Sequence, residues 1–119
     1  MKKFIVVLVL LLAATAVYAQ QINLGDFPVG KWLDHNYDAI WEFSSNNIKL
    51  HGTDGRLVYD FSGMVQDFRV FLDGLNPGIS FACADTERSY RFVIQLNTNL
   101  KMEIERQNEP LYTVDMRKQ

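Results

Sequence analysis

The chain has 119 residues and a formal charge of −2 at pH 7, and its charges of both signs are scattered without a basic cluster. This excludes nucleic acid as an expected partner, because affinity for nucleic acid depends mostly on clustered Lys and Arg. The single cysteine, Cys83, excludes an intramolecular disulfide, so the fold has to be held together by its hydrophobic core.

The first 19 residues are predicted to be a secretory signal peptide. Two lysines follow the initiator methionine, the stretch 4–14 is apolar, and the compact side chains of Val17 and Ala19 precede a cleavage site before Gln20. A membrane-spanning helix needs about 20 apolar residues, more than the uncharged stretch 4–19 provides. We therefore expect a secreted or periplasmic bacterial protein with no membrane span in the mature chain.

Residues 20–119 are predicted to form one small domain, since about 100 residues suit a single hydrophobic core. Without the two N-terminal lysines its formal charge is −4, which disfavours binding to an anionic membrane surface. Cys83 is in phase with Ile79 and Phe81, so we expect it to be a buried small hydrophobic residue.

The first half of the domain is typical of five short strands that follow a lead-in at 20–28. Asp54-Gly55 is a strong hairpin signal, because Gly adopts the positive φ angles of a tight turn easily. Ser62-Gly63 and the stretch 74–78 are the next predicted breaks. The predicted strands of this half are 29–34, 37–44, 48–51, 56–61 and 66–73.

The last third, 78–117, predicts four more strands. Apolar and polar residues alternate there with period two, as a sheet with one buried face requires. Short polar turns at 85–87, 97–99 and 107–110 separate the segments. The residues predicted to face the core are Ile79, Phe81, Cys83, Tyr90, Phe92, Ile94, Leu96, Leu100, Met102, Ile104, Tyr112, Val114 and Met116.

Nine short strands joined mostly by tight turns predict an all-β domain, a small antiparallel up-and-down barrel of about eight to nine strands. A β-sandwich would require longer crossover connections. Outward positions on the late strands, such as Lys101, Glu103 and Asp115, are charged, which argues against a barrel that faces lipid. Whether the interior is hollow stays open, since a barrel of about eight strands is just wide enough for side chains to fill it.

The Gly-x-Trp at 30–32 resembles the first-strand motif of lipocalins, and the later stretch WEFSSNNIKLHGTDGRLVYDF is similar to small secreted bacterial lipocalin-like (calycin-type) β-barrel proteins. The resemblance implies a lipocalin-like barrel and a secreted binding protein. It also implies a structural role for Gly30 and Trp32 at one end of the barrel, where the Trp packs under an Arg from a late strand. Arg106 and Arg117 are the late arginines available, and Arg106 is the one in phase with the inward side chains of its strand.

No catalytic residue, metal site or cofactor is predicted. His35 and His51 each lie beside a predicted turn, and zinc needs three or four converging ligands that their spacing does not supply. Glu103 and Glu105 lie on the polar face of one strand, among other charges. The chain contains no nucleophile elbow and no phosphate-binding glycine loop, so we predict that the protein is not an enzyme.

The first functional hypothesis is a carrier of a small apolar ligand, because such ligands often bind inside barrels or at their mouths. The side chains expected to contact the ligand are large, and they point into the predicted barrel. These residues are Trp41, Phe43, Tyr59, Phe68, Phe81, Tyr90, Phe92 and Met102.

The second hypothesis is a protein-binding or inhibitor module, since the chain also resembles in length and plan the small secreted barrels of bacterial protease and lysozyme inhibitors. Its binding surfaces would be the lead-in 20–28, the turns at 35–36 and 75–77, or a patch of outward apolar residues. A homodimer through the same patch is the third hypothesis. The outward apolar residues are Ile40, Val58, Phe71 and Val93.

Overall fold

The computed structural model describes residues 21–119, which form nine β-strands and no helix. The predicted signal peptide, residues 1–19, lies outside the described residues. In the described part of the chain there is no helix that could span a membrane. The strands are β1 Gly30–Asp34, β2 Ala39–Ser44, β3 Asn47–Gly52, β4 Leu57–Asp60, β5 Gln66–Asp73, β6 Asn76–Cys83, β7 Arg88–Ile94, β8 Leu100–Arg106 and β9 Tyr112–Lys118.

The nine strands form one sheet in which every pairing is antiparallel. Its order is β4-β3-β2-β1-β9-β8-β7-β6-β5, so sequence neighbours pair everywhere except between β4 and β5, and β1 pairs with β9. The β1–β9 pairing is short and joins Trp32 to Lys118 and Leu33 to Arg117. The predicted all-β antiparallel fold is confirmed.

The sheet curls until its two outer parts meet. Phe61, which follows β4, has its ring centre 5.4 Å from that of Phe81 on β6 and 5.3 Å from that of Tyr90 on β7. β4 and β5 are the outermost strands of the sheet and are not hydrogen-bonded neighbours. The result is a half-barrel whose outer parts contact each other through side chains.

β4 and β5 act as two halves of one bent strand. Eight antiparallel pairings separate them in the sheet order, an even number, so the two strands run in the same direction round the sheet. Only residues 61–65 connect them. Tyr59 on β4 donates a 2.9 Å hydrogen bond to Asp85, which lies just beyond the end of β6 where β5 begins to pair. The chain thus passes from β4 to β5 without reversing its direction.

Aromatic side chains fill the centre of the half-barrel. Phe92 on β7 is fully buried, and its ring centre lies 5.1 Å from the rings of both Trp41 and Phe43 on β2. Phe81 and Tyr90 stack on each other at 5.1 Å. At this level the interior is filled. We call the following residues the aromatic cluster: Trp41, Phe43, Phe61, Phe81, Tyr90 and Phe92.

The lead-in closes one end of the half-barrel, called here the closed end. Leu24 and Phe27 are buried, and the amide of Leu24 donates a 3.1 Å hydrogen bond to the carbonyl of Ser45 in the β2–β3 turn. Trp32 is fully buried at the same end, and its Nε1 donates to the carbonyl of Thr98 at 3.0 Å. The turns at the opposite, open end are 35–38, 53–56, 84–87 and 107–111.

Gly30 shows why a glycine precedes the buried tryptophan by two positions. Its φ angle is 144°, a conformation that residues with side chains rarely adopt. A Cβ atom at this position would also lie 3.4 Å from the ring of Trp32. The glycine therefore allows the backbone to pass close to the buried indole.

Two details of the sequence prediction are wrong. Leu96, predicted to face the core, is 95% exposed, because β7 ends two residues earlier and Leu96 lies in the following turn. The turn predicted at 74–78 is shorter, since β6 begins at Asn76 and Pro77 already pairs with Leu72 of β5.

The outward apolar residues do not form one patch. Val93 is buried, and its cross-strand partner Gly78 is covered by Phe71, whose ring would lie 2.6 Å from a Cβ at the glycine. The guanidinium of Arg91 lies over the same ring at 4.9 Å. The other two residues of the expected patch are on β2 and β4, in the other half of the sheet, and the one on β4, Val58, lines a cavity at the open end.

Phe92→Ala is expected to lower the free energy of unfolding by about 3–5 kcal/mol, because it removes a buried ring that contacts four other aromatic rings. Urea unfolding followed by tryptophan fluorescence measures the change. Leu75→Ala, at a side chain that is 92% exposed, is the control and should stay within about 0.5 kcal/mol of the wild type. Equal stability of the two variants would contradict a filled centre.

Candidate functional site

A cavity of about 370 Å³ lies at the open end, above the aromatic cluster. One wall comes from β1 to β4 and their turns, and the other comes from β7, β8 and β9. Apolar side chains form its inner part, and charged and phenolic side chains form its rim. The lining residues are Asp34, Tyr37, Asp38, Ala39, Trp41, Leu50, His51, Gly52, Arg56, Val58, Arg88, Met102, Ile104, Arg106 and Tyr112.

The inner part of the cavity is apolar because it is the upper surface of the core. Trp41, Met102 and Ile104 are buried, and Leu50 is partly buried against the same cluster. Met102 and Ile104 alternate with outward residues of β8 and so share the inner face. An apolar surface of this kind binds hydrocarbon rather than ions.

Asp34 and Tyr112 form a fixed polar pair on the rim. The Tyr112 hydroxyl donates toward both carboxylate oxygens of Asp34, at 3.0 and 2.9 Å, and the Asn36 amide donates to the same carboxylate at 2.9 Å. Asp34 is the one buried charged residue in the described chain, with 2% of its surface exposed. Its hydrogen bonds offset the desolvation of a buried carboxylate. The ring of Tyr37 packs edge-on against Tyr112 at 5.3 Å.

Burial raises the pKa of the Tyr112 phenol to about 12, and its hydrogen bond to Asp34 acts in the same direction, while a bond from Asn36 opposes the shift. The phenol is therefore neutral at physiological pH and remains a hydrogen-bond donor. The hydrogen bonds from Tyr112 to Asp34 are therefore kept at physiological pH.

Three arginines complete the rim. Arg88 on β7 and Arg106 on β8 are directly opposite each other in the strand register, and Arg56 precedes β4. The Arg106 guanidinium donates to Glu109 at 3.0 Å and to the carbonyl of Pro110 at 3.1 Å. Its Nε atom is buried and has no hydrogen-bond partner among residues 21–119.

The two histidines do not converge. His51 is at the rim, where its Nε2 atom lies 3.0 Å from Glu42, and His35 is exposed in the β1–β2 turn. Within residues 21–119 no group of three or more His, Cys, Asp or Glu side chains could hold a metal ion. The titratable side chains at the cavity are thus engaged mainly in structural hydrogen bonds and ion pairs.

The residues predicted as ligand contacts occupy three different places. Trp41 and Met102 line the cavity. Tyr59 and Phe68 are partly buried beside the core; the Tyr59 hydroxyl lies 3.5 Å from the sulfur of Cys83, and burial raises the pKa of that phenol. The remaining four belong to the aromatic cluster and contact other rings: Phe43, Phe81, Tyr90 and Phe92.

Arg106 does not pack on Trp32 as the family resemblance implied. Its guanidinium lies over the ring of Tyr112, 5.8 Å from the ring centre, at the open end. The cation over Trp32 is Lys118, also at 5.8 Å. If the chain reversed between β4 and β5, Arg106 at the end of β8 would lie at the closed end with Trp32. Because β4 and β5 run in the same direction, Arg106 lies at the open end instead.

The number of chain reversals also explains why the sequence did not predict several rim residues. With nine reversing strands, Arg88 and Tyr112 would begin their strands at the opposite end from Asp34. Reading 56–73 as one strand bent at Ser62-Gly63 brings all three to the open end. The missed rim residues are Asp34, Tyr37, Arg56, Arg88 and Tyr112.

A groove of about 450 Å³ at the open-end edge of β6 to β8 shares two rim arginines with the cavity. Two more open grooves, which share no residue with the cavity, lie outside the barrel mouth. One, of about 520 Å³, runs over the outer face of β5 to β8, with Ser80, Ala82 and Ser89 among its lining residues and charges of both signs around them. The other, of about 730 Å³, lies between the lead-in and β5 and includes Val70 and Leu72. Neither combines a buried apolar surface with a group of like charges.

The chain matches no protein-family model, no curated protein and no solved structure. Its function therefore has to be inferred from the cavity and the chemistry of its walls.

Tyr112→Phe is expected to lower the free energy of unfolding at neutral pH by about 1.5–3 kcal/mol, because a buried carboxylate loses a donor. The wild-type pKa of about 12 lies above the ordinary value of 10.0, so the folded state keeps a proton that the unfolded state loses. The contribution of Tyr112 to the free energy of unfolding is thus constant below pH 10 and falls between pH 10 and 12.

Urea unfolding at several pH values checks this. Tyr112→Phe should show a smaller fall above pH 10, with the remainder due to Tyr59 and Tyr90, whose pKa values are also raised. Tyr37→Phe, at an exposed tyrosine that packs against Tyr112, is the control and should follow the wild type. An unchanged alkaline profile in Tyr112→Phe would refute the assignment.

Proposed function

We propose that the protein is a secreted lipocalin-like binding protein that takes a small, largely apolar ligand into the open-end cavity. The observation that carries this proposal is the cavity itself, with an apolar inner part around Met102 and Ile104 and a polar rim. Small-molecule sites have this composition, and their volumes run from about 300 to 1,000 Å³. The value of about 370 Å³ suits a small ligand.

The strand plan supports the lipocalin-like part of the proposal. If β4 and β5 count as one bent strand, the sheet has the plan of an eight-stranded up-and-down meander in which the first strand meets the last. The lead-in lies across one end, beside the Gly-x-Trp at 30–32, and the opposite end is open. A ligand would enter at the open end.

The aromatic cluster limits how deep a ligand reaches. Trp41, Phe61 and Phe92 fill the space below the cavity with rings whose centres are 5.1–5.5 Å apart. The ligand therefore rests on the cluster and is not enclosed by it. This replaces the deep barrel site expected from the sequence with a shallower one at the mouth.

Binding rather than catalysis is proposed because Asp34, Tyr112 and His51, which could otherwise act as acid or base, are engaged in structural contacts. Tyr112 and Asn36 hold Asp34, and His51 pairs with Glu42. Each of these contacts stabilises the rim geometry. A hydrogen-bonded rim over an apolar floor is suited to holding a ligand.

Val58→Trp tests the cavity by filling it. Val58 lines the cavity and is 53% exposed, so the larger side chain can enter the cavity without displacing the core. We expect the affinity for the neutral dye N-phenylnaphthylamine to fall by about ten-fold or more, which corresponds to about 1.4 kcal/mol. Fluorescence titration measures it.

The matched control is Val70→Trp. Val70 is similarly exposed, but it lies on β5 beside the lead-in, outside this cavity. This variant should bind the dye as the wild type does. Failure of the wild type to bind the dye, or equal binding by Val58→Trp, would refute the proposed site.

A protein-binding role is a second candidate, favoured by a different observation. Leu75 and Leu96 are the most exposed large apolar side chains of the described residues. They occupy the β5–β6 and β7–β8 turns, which the β6–β7 pairing brings side by side at the closed end. Two adjacent exposed leucines at turn tips are a suitable contact for another protein or for a second copy of this chain.

The double variant Leu75→Ser/Leu96→Ser tests this candidate. Wild-type protein should recover a partner from the envelope fraction, or run as a dimer on sizing chromatography, and the double variant should lose that behaviour while still binding the dye. Identical behaviour of the two proteins would refute this candidate and leave the carrier proposal intact.

A further inference from the structure

We infer that the ligand is a single-chain amphiphile with an anionic headgroup, which binds Arg56, Arg88 and Arg106 while its hydrocarbon chain lies on the apolar floor. This inference rests on the proposed function and names the ligand class of that same cavity.

The first observation is a pair of like charges held face to face. Arg88 and Arg106 are directly opposite on β7 and β8, and both line the cavity. Side chains in that relation lie close together, and like charges there repel each other. An anion bound between the two guanidinium groups converts the repulsion into attraction. Arginine suits this role, because its planar fork binds carboxylate or phosphate through two hydrogen bonds.

The second observation is unused hydrogen-bonding capacity. The two terminal nitrogens of the Arg106 guanidinium contact Glu109 and the carbonyl of Pro110. Its Nε atom is buried and has no hydrogen-bond partner among the described residues. Buried donors are almost always satisfied in folded proteins. In the described part of the chain, the ion pairs include neither Arg56 nor Arg88. Arg88 also shares a side-chain hydrogen bond with Tyr90. A guanidinium carries five N–H donors, so the arginines of the rim keep unused donors around one space.

The carboxylates near the cavity do not pair with all three arginines. Asp34 is occupied by Tyr112 and Asn36, which leaves Asp38 as the other carboxylate that lines the cavity. Three guanidinium groups therefore face two carboxylates in the cavity, and Arg106 is also paired with Glu109 at 3.0 Å. Arg56 and Arg88 are the rim cations that have no ion pair among the described residues.

The third observation is the position of the apolar floor. Met102 and Ile104 precede Arg106 on the same face of β8, so the charged and apolar parts of the site follow each other along one strand. A headgroup at Arg106 places an attached chain over Ile104 and Met102. Both a fatty carboxylate and an alkyl phosphate have this chemistry.

Isothermal titration calorimetry with decanoate, decyl phosphate and decanol, which share one chain length, tests the inference. Wild-type protein should bind at least one anionic probe about ten-fold or more tightly than decanol. Arg88→Gln, which keeps a polar side chain, should weaken binding of that anion by about ten-fold and leave decanol unchanged. Arg69→Gln, at an exposed arginine of β5 outside the cavity, is the control and should bind all three like the wild type.

The possible outcomes test the anionic headgroup and the ligand-binding cavity separately. Preference for decanoate or for decyl phosphate identifies the source of the anion. Equal binding of all three probes, with no effect of Arg88→Gln, overturns the anionic assignment and leaves the carrier proposal standing. Failure of every probe and of the neutral dye overturns the proposed function itself. If Arg88→Gln does not fold, Arg56→Gln on another wall is expected to give the same loss for the anion alone.

Discussion

Contact between aromatic rings across the curled sheet is the interaction on which the rest of the structure depends. The outermost strands, β4 and β5, are not hydrogen-bonded to each other, so backbone bonding does not close the half-barrel. Phe61 instead reaches Phe81 and Tyr90, and Trp41 reaches Phe92, each within 5.5 Å. These rings bring the two halves of the sheet together and, at their upper surface, form the floor on which a ligand would lie.

Much of this fold could be predicted from the sequence, because burial on one face imposes a period of two on every strand. The alternation at 79–83, 90–94, 100–104 and 112–116 corresponds to four observed strands. The pattern fails at Leu96, where the chain has already left the strand and alternation no longer reports on burial. It also misplaces the turn before β6, because Pro77 lies inside the predicted turn 74–78 but belongs to the start of the observed strand.

The site was harder to predict than the fold, for a physical reason. The alternation of apolar and polar residues along a strand indicates which face of the sheet a residue is on. It does not indicate which end of the barrel the residue is near. That depends on how many times the chain reverses, and the link 61–65 looks like a turn while it continues one bent strand. Arg88, Arg106 and Tyr112 are predicted at the same end as Asp34 only if the link 61–65 is known to continue the strand. The aromatic residues were correctly expected inside, and most of them pack on one another instead of lining the cavity.

The short pairing between β1 and β9 has a consequence for the cavity. The backbone of these strands pairs only at Trp32 and Leu33, near the closed end. Toward the open end the two half-sheets are linked by a side-chain bridge, in which Tyr112 of β9 holds Asp34 of β1. The width of the aperture at the open end is therefore set by one phenol and one carboxylate, and not by backbone hydrogen bonds between β1 and β9.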